Sequence, residues 1–275
     1  MGRKKKRILS MVLSVLIALS LTMCLMGLII RGGLLNKGMF KDNLVRSNYY
    51  SSLVDDIKDK LKETAAVYKL PEELIDKIVT DSLIYRNAND IFENPSAYED
   101  GRVDTEAFQT EAVEVINDYL KENDVDNYSD IAAYVEKTAR LLAIKYAESL
   151  DIGFISGYSG FVNRYTPAVN VYICVSFIIF AVLTALVIML HKRKYRGVRY
   201  AGYGIISGSI TTIIISQILK FRILSIVNNA DITYNSVVTT FIDSTFSQGI
   251  YVGLVGVFVF GILCYLTLFL KSRSN

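Results

Sequence analysis

Four long apolar runs, none of which contains Lys, Arg, Asp or Glu, constrain this chain more than any other feature of its sequence. They are residues 8–30, 168–190, 200–219 and 249–270. A bilayer core about 30 Å thick requires roughly 20 apolar residues at the rise of an α-helix, and each run has that length. We therefore predict an all-α, polytopic membrane protein with four transmembrane helices.

Charge is distributed unevenly around these runs and predicts the orientation of the chain. Segments 1–7, 191–199 and 271–275 carry Lys and Arg but no Asp or Glu. In contrast, segment 31–166 holds 25 acidic and 16 basic residues. Because short basic segments beside a span are retained in the cytoplasm, we predict cytoplasmic N- and C-termini and a cytoplasmic loop at 191–199. Segments 31–166 and 220–248 then lie outside a plasma membrane.

The basic segments could instead indicate a nucleic-acid partner. Beside apolar runs, however, membrane insertion and attraction to anionic lipid explain them. We therefore predict that these segments contact the lipid bilayer and that they do not bind nucleic acid.

The first run has an alternative interpretation as a cleaved secretory signal. The apolar region of such a signal is about 7 to 15 residues long, and 8–30 is longer, so an uncleaved anchor is favoured. The stretch that ends at Cys24 weakly resembles a lipoprotein cleavage box. Because Met23 is bulky where that box needs a small residue, lipidation is disfavoured.

The segment after the first run is predicted to form a helical extracytoplasmic domain. Three glycines in 31–38 favour a flexible neck, and helical spacing of apolar residues from 42 to 68 favours one long amphipathic helix. Pro71 begins a second helix. Residues 87–101, rich in Asn, Asp and Gly, are predicted to be loose, although Ile91 and Phe92 enter the core.

Two further amphipathic helices complete this predicted domain. Asp104 is the expected N-cap of the third and Ser129 of the fourth. Glycines at 153, 157 and 160 are expected to interrupt the chain before the second span. Residues 220–248 are predicted to form an extracytoplasmic helical hairpin whose apolar stripe needs cover, most simply from the outside domain.

Small residues recur in the third and fourth predicted spans. Gly204 and Gly208 in the third, and Gly249, Gly253 and Gly256 in the fourth, are spaced three or four residues apart. Glycines in such a pattern let two helices approach closely. We predict that they serve helix packing, chiefly of the third span against the fourth.

The third predicted span is also polar for a membrane helix. Thr212, Ser216 and Gln217 could line a polar groove or a pore. Hydroxyl groups can equally bond carbonyl oxygens of their own helix, so both interpretations stay open. No Asp, Glu, Lys or Arg lies in the middle of any span, which disfavours an ion-coupled transporter.

No catalytic, cofactor or metal signature emerges from the sequence. His191 is the only histidine and lies in the predicted cytoplasmic loop, which excludes a histidine-based site outside. Residues 124–135 begin like a calcium loop, but Ser129 stands where that loop needs Gly and Val135 where it needs a carboxylate. We predict neither cofactor nor metal.

Three classes of function follow. We favour a non-enzymatic accessory or interaction subunit of a cell-envelope membrane complex, whose extracytoplasmic domain binds a membrane or envelope protein. A transporter or channel component, suggested by the polar third span, is the alternative. A third hypothesis is an enzyme that acts at the membrane surface through Asp90 or Glu93.

In its layout of one span, a helical outside domain and three further spans, the chain resembles uncharacterised four-span membrane proteins of Gram-positive bacteria. The resemblance rests on this architecture and on a composition rich in Lys, Ile, Asn and Tyr, and no motif supports it. It implies a plasma-membrane location and no particular activity.

Overall fold

The computed structural model describes residues 3–94, 105–123, 128–150, 152–228 and 235–272, and every regular element in them is an α-helix. The all-α prediction is therefore confirmed. The helices are α1 (Arg3–Gly32), α2 (Lys37–Arg46), α3 (Tyr49–Val67), α4 (Glu72–Ile78), α5 (Asp81–Glu93), α6 (Glu106–Glu122), α7 (Tyr128–Ser149), α8 (Ile152–Met189), α9 (Lys194–Asn228) and α10 (Asn235–Ser272).

The chain divides into two compact units. One, which we call the span unit, comprises Met1–Asn43 and Val162–Asn275. The other, the helical unit, comprises Leu44–Phe161 and is inserted in the sequence between the two parts of the first. The helical unit lies within the segment 31–166 that charge assigns to the outside.

Four helices of this fold are long and apolar enough to cross a membrane. The candidate spans are Lys4–Gly32, Gly157–Met189, Lys194–Asn228 and Asn235–Phe269. They belong to α1, α8, α9 and α10, in the order that the apolar runs predict. Helices α1, α9 and α10 extend beyond both ends of their predicted runs, whereas α8 starts well before its run and ends one residue short of it, at Met189.

Within the span unit, α9 packs along both α1 and α10. One buried cluster joins the C-terminal ends of α1 and α9 to the N-terminal part of α10. It consists of Ile29, Val227, Ile242 and Phe246. At the opposite end, a second cluster of Ile17, Val187 and Ala201 brings α8 into contact with α1 and α9.

The predicted flexible neck is instead a hydrogen-bonded turn between two helices. The N–H of Gly33 donates to the carbonyl of Ile29 over 2.8 Å, and the N–H of Met39 donates to Oδ1 of Asn36 over 3.2 Å. Gly33 is buried, and a Cβ there would overlap the side chain of Thr245. The glycine thus serves close packing rather than flexibility.

The predicted long helix from 42 to 68 is two helices, α2 and α3. They are separated at Asn48, which adopts the left-handed conformation with φ of 54°. Asn tolerates this conformation better than most residues, so one residue turns the chain without a glycine. The core prediction is confirmed nonetheless, because the apolar positions Leu53, Ile57 and Leu61 are buried.

The predicted second helix is also interrupted, and the predicted loose stretch after it is largely helical. Helix α4 ends at Ile78, and Thr80 caps α5 by accepting a hydrogen bond from the N–H of Leu83 over 3.3 Å. Helix α5 continues to Glu93, so 87–93 is helical and only 95–101 lies outside the described residues. Ile91 and Phe92, both on α5, are buried as predicted.

The last boundaries of the helical unit differ from prediction by small amounts. Helix α6 starts at Glu106 after Thr105, and Asp104 lies outside the described residues. Helix α7 already includes Tyr128, so Ser129 lies in its first turn rather than before it. Gly157 and Gly160 do not interrupt the chain, because α8 runs through both. A single helical glycine costs only about 1 kcal/mol, which a long helix tolerates.

Aromatic stacking marks the centre of the helical unit. The rings of Phe108 and Tyr146 stack with centroids 4.3 Å apart, and both residues are fully buried. The Tyr146 hydroxyl accepts a hydrogen bond from Nδ2 of Asn87 over 2.7 Å. These contacts join α5, α6 and α7 through the buried Tyr146 and the half-buried Asn87.

The predicted hairpin at 220–248 consists of the extended ends of α9 and α10, and residues 229–234 between them lie outside the described residues. Val237, Phe241, Ile242 and Phe246 of its apolar stripe are buried. Part of their cover comes from Phe40, in the segment 31–166 predicted to form the outside domain, which packs edge-on against Phe241 with centroids 5.2 Å apart. The rest includes Ile29 of α1, which packs against Ile242 and Phe246.

Candidate functional site: the helix seam of the span unit

We call the contact surfaces of α9 with α1 and with α10 the helix seam. On the first of them, a Cβ added to Gly204 would lie 2.6 Å from Cγ2 of Ile17 and 2.8 Å from the carbonyl oxygen of Ser14. A Cβ added to Gly208 would lie 2.8 Å from the carbonyl oxygen of Ala18. Since real Cβ atoms do not come within 3.0 Å of such atoms, neither position accepts a side chain unless the helices shift.

The second surface of the seam joins α9 and α10. A Cβ added to Gly249, Gly253 or Gly256 would overlap a side chain of α9. The overlapped residues are, in that order, Ser216, Ile213 and Ser209. The three glycines therefore form the groove of α10 in which one row of α9 side chains lies.

Hydroxyl groups of α1 donate across the seam to the backbone of α9. Oγ of Ser14 lies 2.8 Å from the carbonyl oxygen of Tyr200 and 2.9 Å from that of Ser10 in its own helix. Oγ1 of Thr22 lies 3.1 Å from the carbonyl oxygen of Gly208 and 2.9 Å from that of Ala18 in its own helix. Such bonds form only where two helix backbones approach closely, and in membrane proteins each contributes about 0.6 kcal/mol on average.

The glycines of the seam divide between two helix pairs, and α9 makes its larger contact with α10, the partner that the sequence predicted. The α9 glycines at 204 and 208 face α1, whereas the α10 glycines face α9. The first span carries a signal that could have indicated this contact, because small residues recur in it every four positions. They are Ser10, Ser14, Ala18 and Thr22.

The three residues of the predicted polar groove have different environments. Thr212 donates to the carbonyl of Gly208 over 2.8 Å, and Ser216 to that of Thr212 over 2.7 Å. Both side chains are completely buried in the seam. Gln217 is half-buried, and its Nε2 has no hydrogen-bond partner among the described residues. Two of the three hydroxyl or amide groups are thus satisfied within their own helix, and one is not.

A polar cluster lies beyond Gln217, where α9 and α10 extend past the predicted spans. Nζ of Lys220 lies 2.5 Å from Oδ1 of Asp243 and donates to Oγ of Ser247 over 3.2 Å. One helical turn away, Oγ of Ser244 donates to Oδ1 of Asn43 over 2.9 Å. This cluster ties α2, α9 and α10 together with side-chain hydrogen bonds, which sequence spacing alone could not indicate.

At the opposite end, His191 joins three helices. Its Nδ1 lies 3.0 Å from the carbonyl oxygen of Val187, and its Nε2 lies 3.4 Å from Oγ of Ser10. The ring stacks on that of Tyr200 with centroids 5.4 Å apart. The only histidine of the chain is therefore used in packing α1, α8 and α9.

Comparison with protein-family models, curated proteins and solved structures finds no significant match. The resemblance to Gram-positive four-span proteins consequently stays a prediction. Among the described residues, no group of three or more His, Cys, Asp or Glu side chains is placed to hold a metal ion. The calcium-like segment at 124–127 lies outside them.

The helical unit offers a second candidate site, a groove of about 570 Å³ between α6 and α7. Amide and hydroxyl side chains lie beside apolar ones on its walls. Its lining includes Gln109, Thr110, Val113, Asn117, Val135 and Glu136. Asp90 and Glu93, the carboxylates of the enzyme hypothesis, are not among the described residues that line this groove. Both are exposed on the last turn of α5.

Proposed function

We propose that this chain is a non-enzymatic subunit of a membrane complex, in which four transmembrane helices anchor a helical domain outside the membrane. The proposal rests on the way in which the helix seam is packed and hydrogen-bonded. Its buried hydroxyls at 209, 212 and 216 all donate to carbonyls of α9, and the glycines bring the helices together. Polar groups used in this way support a packed anchor.

Charge supports the orientation of this anchor. The exposed basic residues Lys192 and Arg193 lie between α8 and α9, and the exposed Lys194 begins α9, as expected of a cytoplasmic loop. The helical unit belongs to the acidic segment, as expected of a domain outside the plasma membrane. Both chain ends are then cytoplasmic.

The groove between α6 and α7 supports a binding role for the helical unit. Its mixed lining and its open shape are typical of a protein contact surface, in which apolar area is flanked by polar groups. We propose a membrane or cell-envelope protein as the partner that contacts Thr110 and Val113 there.

A tagged chain solubilised in mild detergent provides the test. If the proposal is right, one protein co-purifies in near-stoichiometric amount with the wild type, and Thr110→Trp, which fills the groove, reduces its recovery at least several-fold. The matched control is Glu114→Trp, because Glu114 is exposed on the same helix and does not line the groove. Recovery of the chain alone, or equal losses in both variants, would contradict a binding role for the groove.

A transporter or channel component is the second candidate, and one observation favours it. The buried Nε2 of Gln217 lacks a partner among the described residues, although an unpaired polar group in a membrane interior costs on the order of 1 kcal/mol or more. Liposomes that contain the purified chain test this reading. If the chain conducts a solute, Gln217→Leu should abolish the flux, and Thr240→Val, a control beyond the seam, should preserve it. That result would replace the accessory role with a transporter or channel role.

A further inference from the structure

The first turns of α9 and the last turns of α10 enclose a groove of about 290 Å³, which we call the α9–α10 groove. Its walls come from residues 198–203 and 260–268. The last seam glycine of α10, Gly256, lies one turn before Phe260, the first of the wall residues on that helix. The groove therefore begins where the close contact of the seam ends.

Gly202 keeps the α9 side of this groove open. It is buried, and a Cβ added there would lie 3.3 Å from two carbon atoms of the Phe260 ring. Because glycine has no side chain, α9 presents only backbone opposite that ring. A larger side chain at position 202 would fill part of the space between the two helices.

The walls of the groove are mainly apolar. Val198, Leu263 and Leu268 line it together with the ring of Phe260. The hydroxyl of Thr267, which also lines it, donates to the carbonyl of Leu263 over 2.7 Å and is thus satisfied within its own helix. Such walls match an acyl chain, which packs against them by van der Waals contact.

The end of the groove nearest the basic loop is cationic. Arg199 lines the groove and is exposed, and its guanidinium carbon lies 6.0 Å from the ring centroid of Tyr200. The segments 191–199 and 271–275, which adjoin the groove in the sequence, contain no Asp or Glu. A guanidinium has five N–H donors in a rigid fork that matches the oxygens of a phosphate. Charge therefore favours a phosphate at this end.

The position of the groove along the predicted spans fits both chemistries. Arg199 directly precedes the predicted span 200–219, and Leu268 lies two residues before the end of the predicted span 249–270. Lipid head groups occupy this level of a bilayer, and the part of the groove that reaches Phe260 lies at the level of the acyl chains. Basic pockets between membrane helices on the cytoplasmic side bind the head groups of anionic lipids.

We propose that the α9–α10 groove binds an anionic phospholipid of the cytoplasmic leaflet, with its phosphate at Arg199 and one acyl chain between the two helices. The leaflet rests on the transmembrane orientation proposed above, to which the lipid adds a ligand. A helix of a partner protein does not fit the same space. A helix is about 10 Å wide, so one turn of it exceeds the groove volume of about 290 Å³.

Two native thiols make this proposal testable in the unaltered protein. Cys264 lines the groove and is exposed, whereas Cys174 is exposed and does not line it. The purified full-length chain in detergent is reacted with N-ethylmaleimide, and peptide mass spectrometry follows the labelling of each thiol. Dioleoylphosphatidylglycerol should slow the labelling of Cys264 at least several-fold and leave that of Cys174 unchanged. Dioleoylphosphatidylcholine, which has no net charge, should protect Cys264 less.

A pair of variants tests the role of Arg199 in this protection. Arg199→Gln should raise the concentration of phosphatidylglycerol that protects Cys264 on the order of tenfold. The matched control is Lys192→Gln, which removes one positive charge from a residue that is exposed and does not line the groove. It should keep the wild-type protection. Both substitutions change exposed side chains, so both variants should fold.

Three results would overturn the proposal. Equal slowing at Cys264 and Cys174 would show that lipid covers the whole apolar surface alike. Equal protection by the two lipids, or an equal effect of the two variants, would remove the phosphate contact at Arg199. The assay contains no partner protein, so Cys264 can be protected even if the accessory role fails, and loss of protection would leave that role intact.

Discussion

At position 208, the absence of a side chain sets the distance between α1 and α9. Gly208→Ala places a Cβ 2.8 Å from the backbone oxygen of Ala18, and neither backbone can rotate away as a flexible side chain would. We expect the variant to lose about 1 to 3 kcal/mol of stability. The loss should appear as a lower midpoint in thermal unfolding of the full chain in detergent.

Gly261 of α10 gives a matched control for this prediction. Apart from the neighbouring backbone of α10, no atom of the described residues lies within 4 Å of a Cβ added there, so Gly261→Ala should be neutral or should gain up to about 1 kcal/mol from helix propensity. If both variants unfold at the wild-type midpoint, close packing at Gly208 does not contribute to stability.

At Tyr146, burial predicts a pH dependence of stability. Burial raises the pKa of this phenol to about 12 from the ordinary value of 10, and the hydrogen bond from Asn87 only partly offsets the effect. The folded state therefore favours the neutral phenol. Its contribution is fully present below pH 10, and we expect it to decline as pH rises from 10 to 12, by up to about 3 kcal/mol.

Unfolding midpoints of wild type and Tyr146→Phe, measured at intervals between pH 8 and 11.5, test this expectation. The variant should be less stable at pH 8, because Nδ2 of Asn87 loses its acceptor. The difference should shrink above pH 10. A constant difference across the range would show that Tyr146 does not titrate with a raised pKa.

At the scale of single helices, the break between α4 and α5 depends on Thr80. Its Oγ1 accepts the hydrogen bond from the N–H of Leu83 and fixes the start of α5. Thr80→Ala should destabilise the helical unit by about 1 kcal/mol, whereas Thr80→Ser, which keeps the acceptor, should cost little. Chemical denaturation followed by circular dichroism distinguishes them, and equal midpoints for Ala and Ser would contradict a capping role.

The same scale shows what apolar spacing can and cannot predict. The four apolar runs predicted the candidate spans because a helix that crosses lipid must be long and apolar, and both properties can be seen in the sequence. The breaks at Asn48 and Thr80 were missed because buried positions continue on both sides of each, as at Leu44 and Leu53. Spacing reports that a face is buried and leaves the direction of the next helix open.

The helix seam, too, could be predicted only in part from the sequence. Glycine spacing in the third and fourth runs indicated close approach, yet it could not indicate that Gly204 and Gly208 face the first span. That choice depends on matching small residues at Ser14 and Ala18, a pattern far away in the sequence. Lys220 and Asp243 likewise meet only because α9 and α10 extend beyond their apolar runs.

For the whole molecule, charge predicts which side of the membrane each part occupies. The acidic segment that contains Glu63 should be outside, and the basic loop that contains Lys192 should be inside. Both side chains are exposed, so a cysteine at either position can react with a maleimide. The native thiols are first removed by replacing Cys24, Cys174 and Cys264 with Ser.

In intact cells, a membrane-impermeant maleimide should label Glu63→Cys and leave Lys192→Cys unlabelled until the membrane is opened. The reverse pattern would place the helical unit in the cytoplasm and would contradict the proposed orientation of the anchor. Labelling of both positions in intact cells would mean that α8 does not cross the bilayer between them. Only the expected pattern is compatible with an odd number of crossings, a cytoplasmic basic loop and an accessible groove on the outer surface.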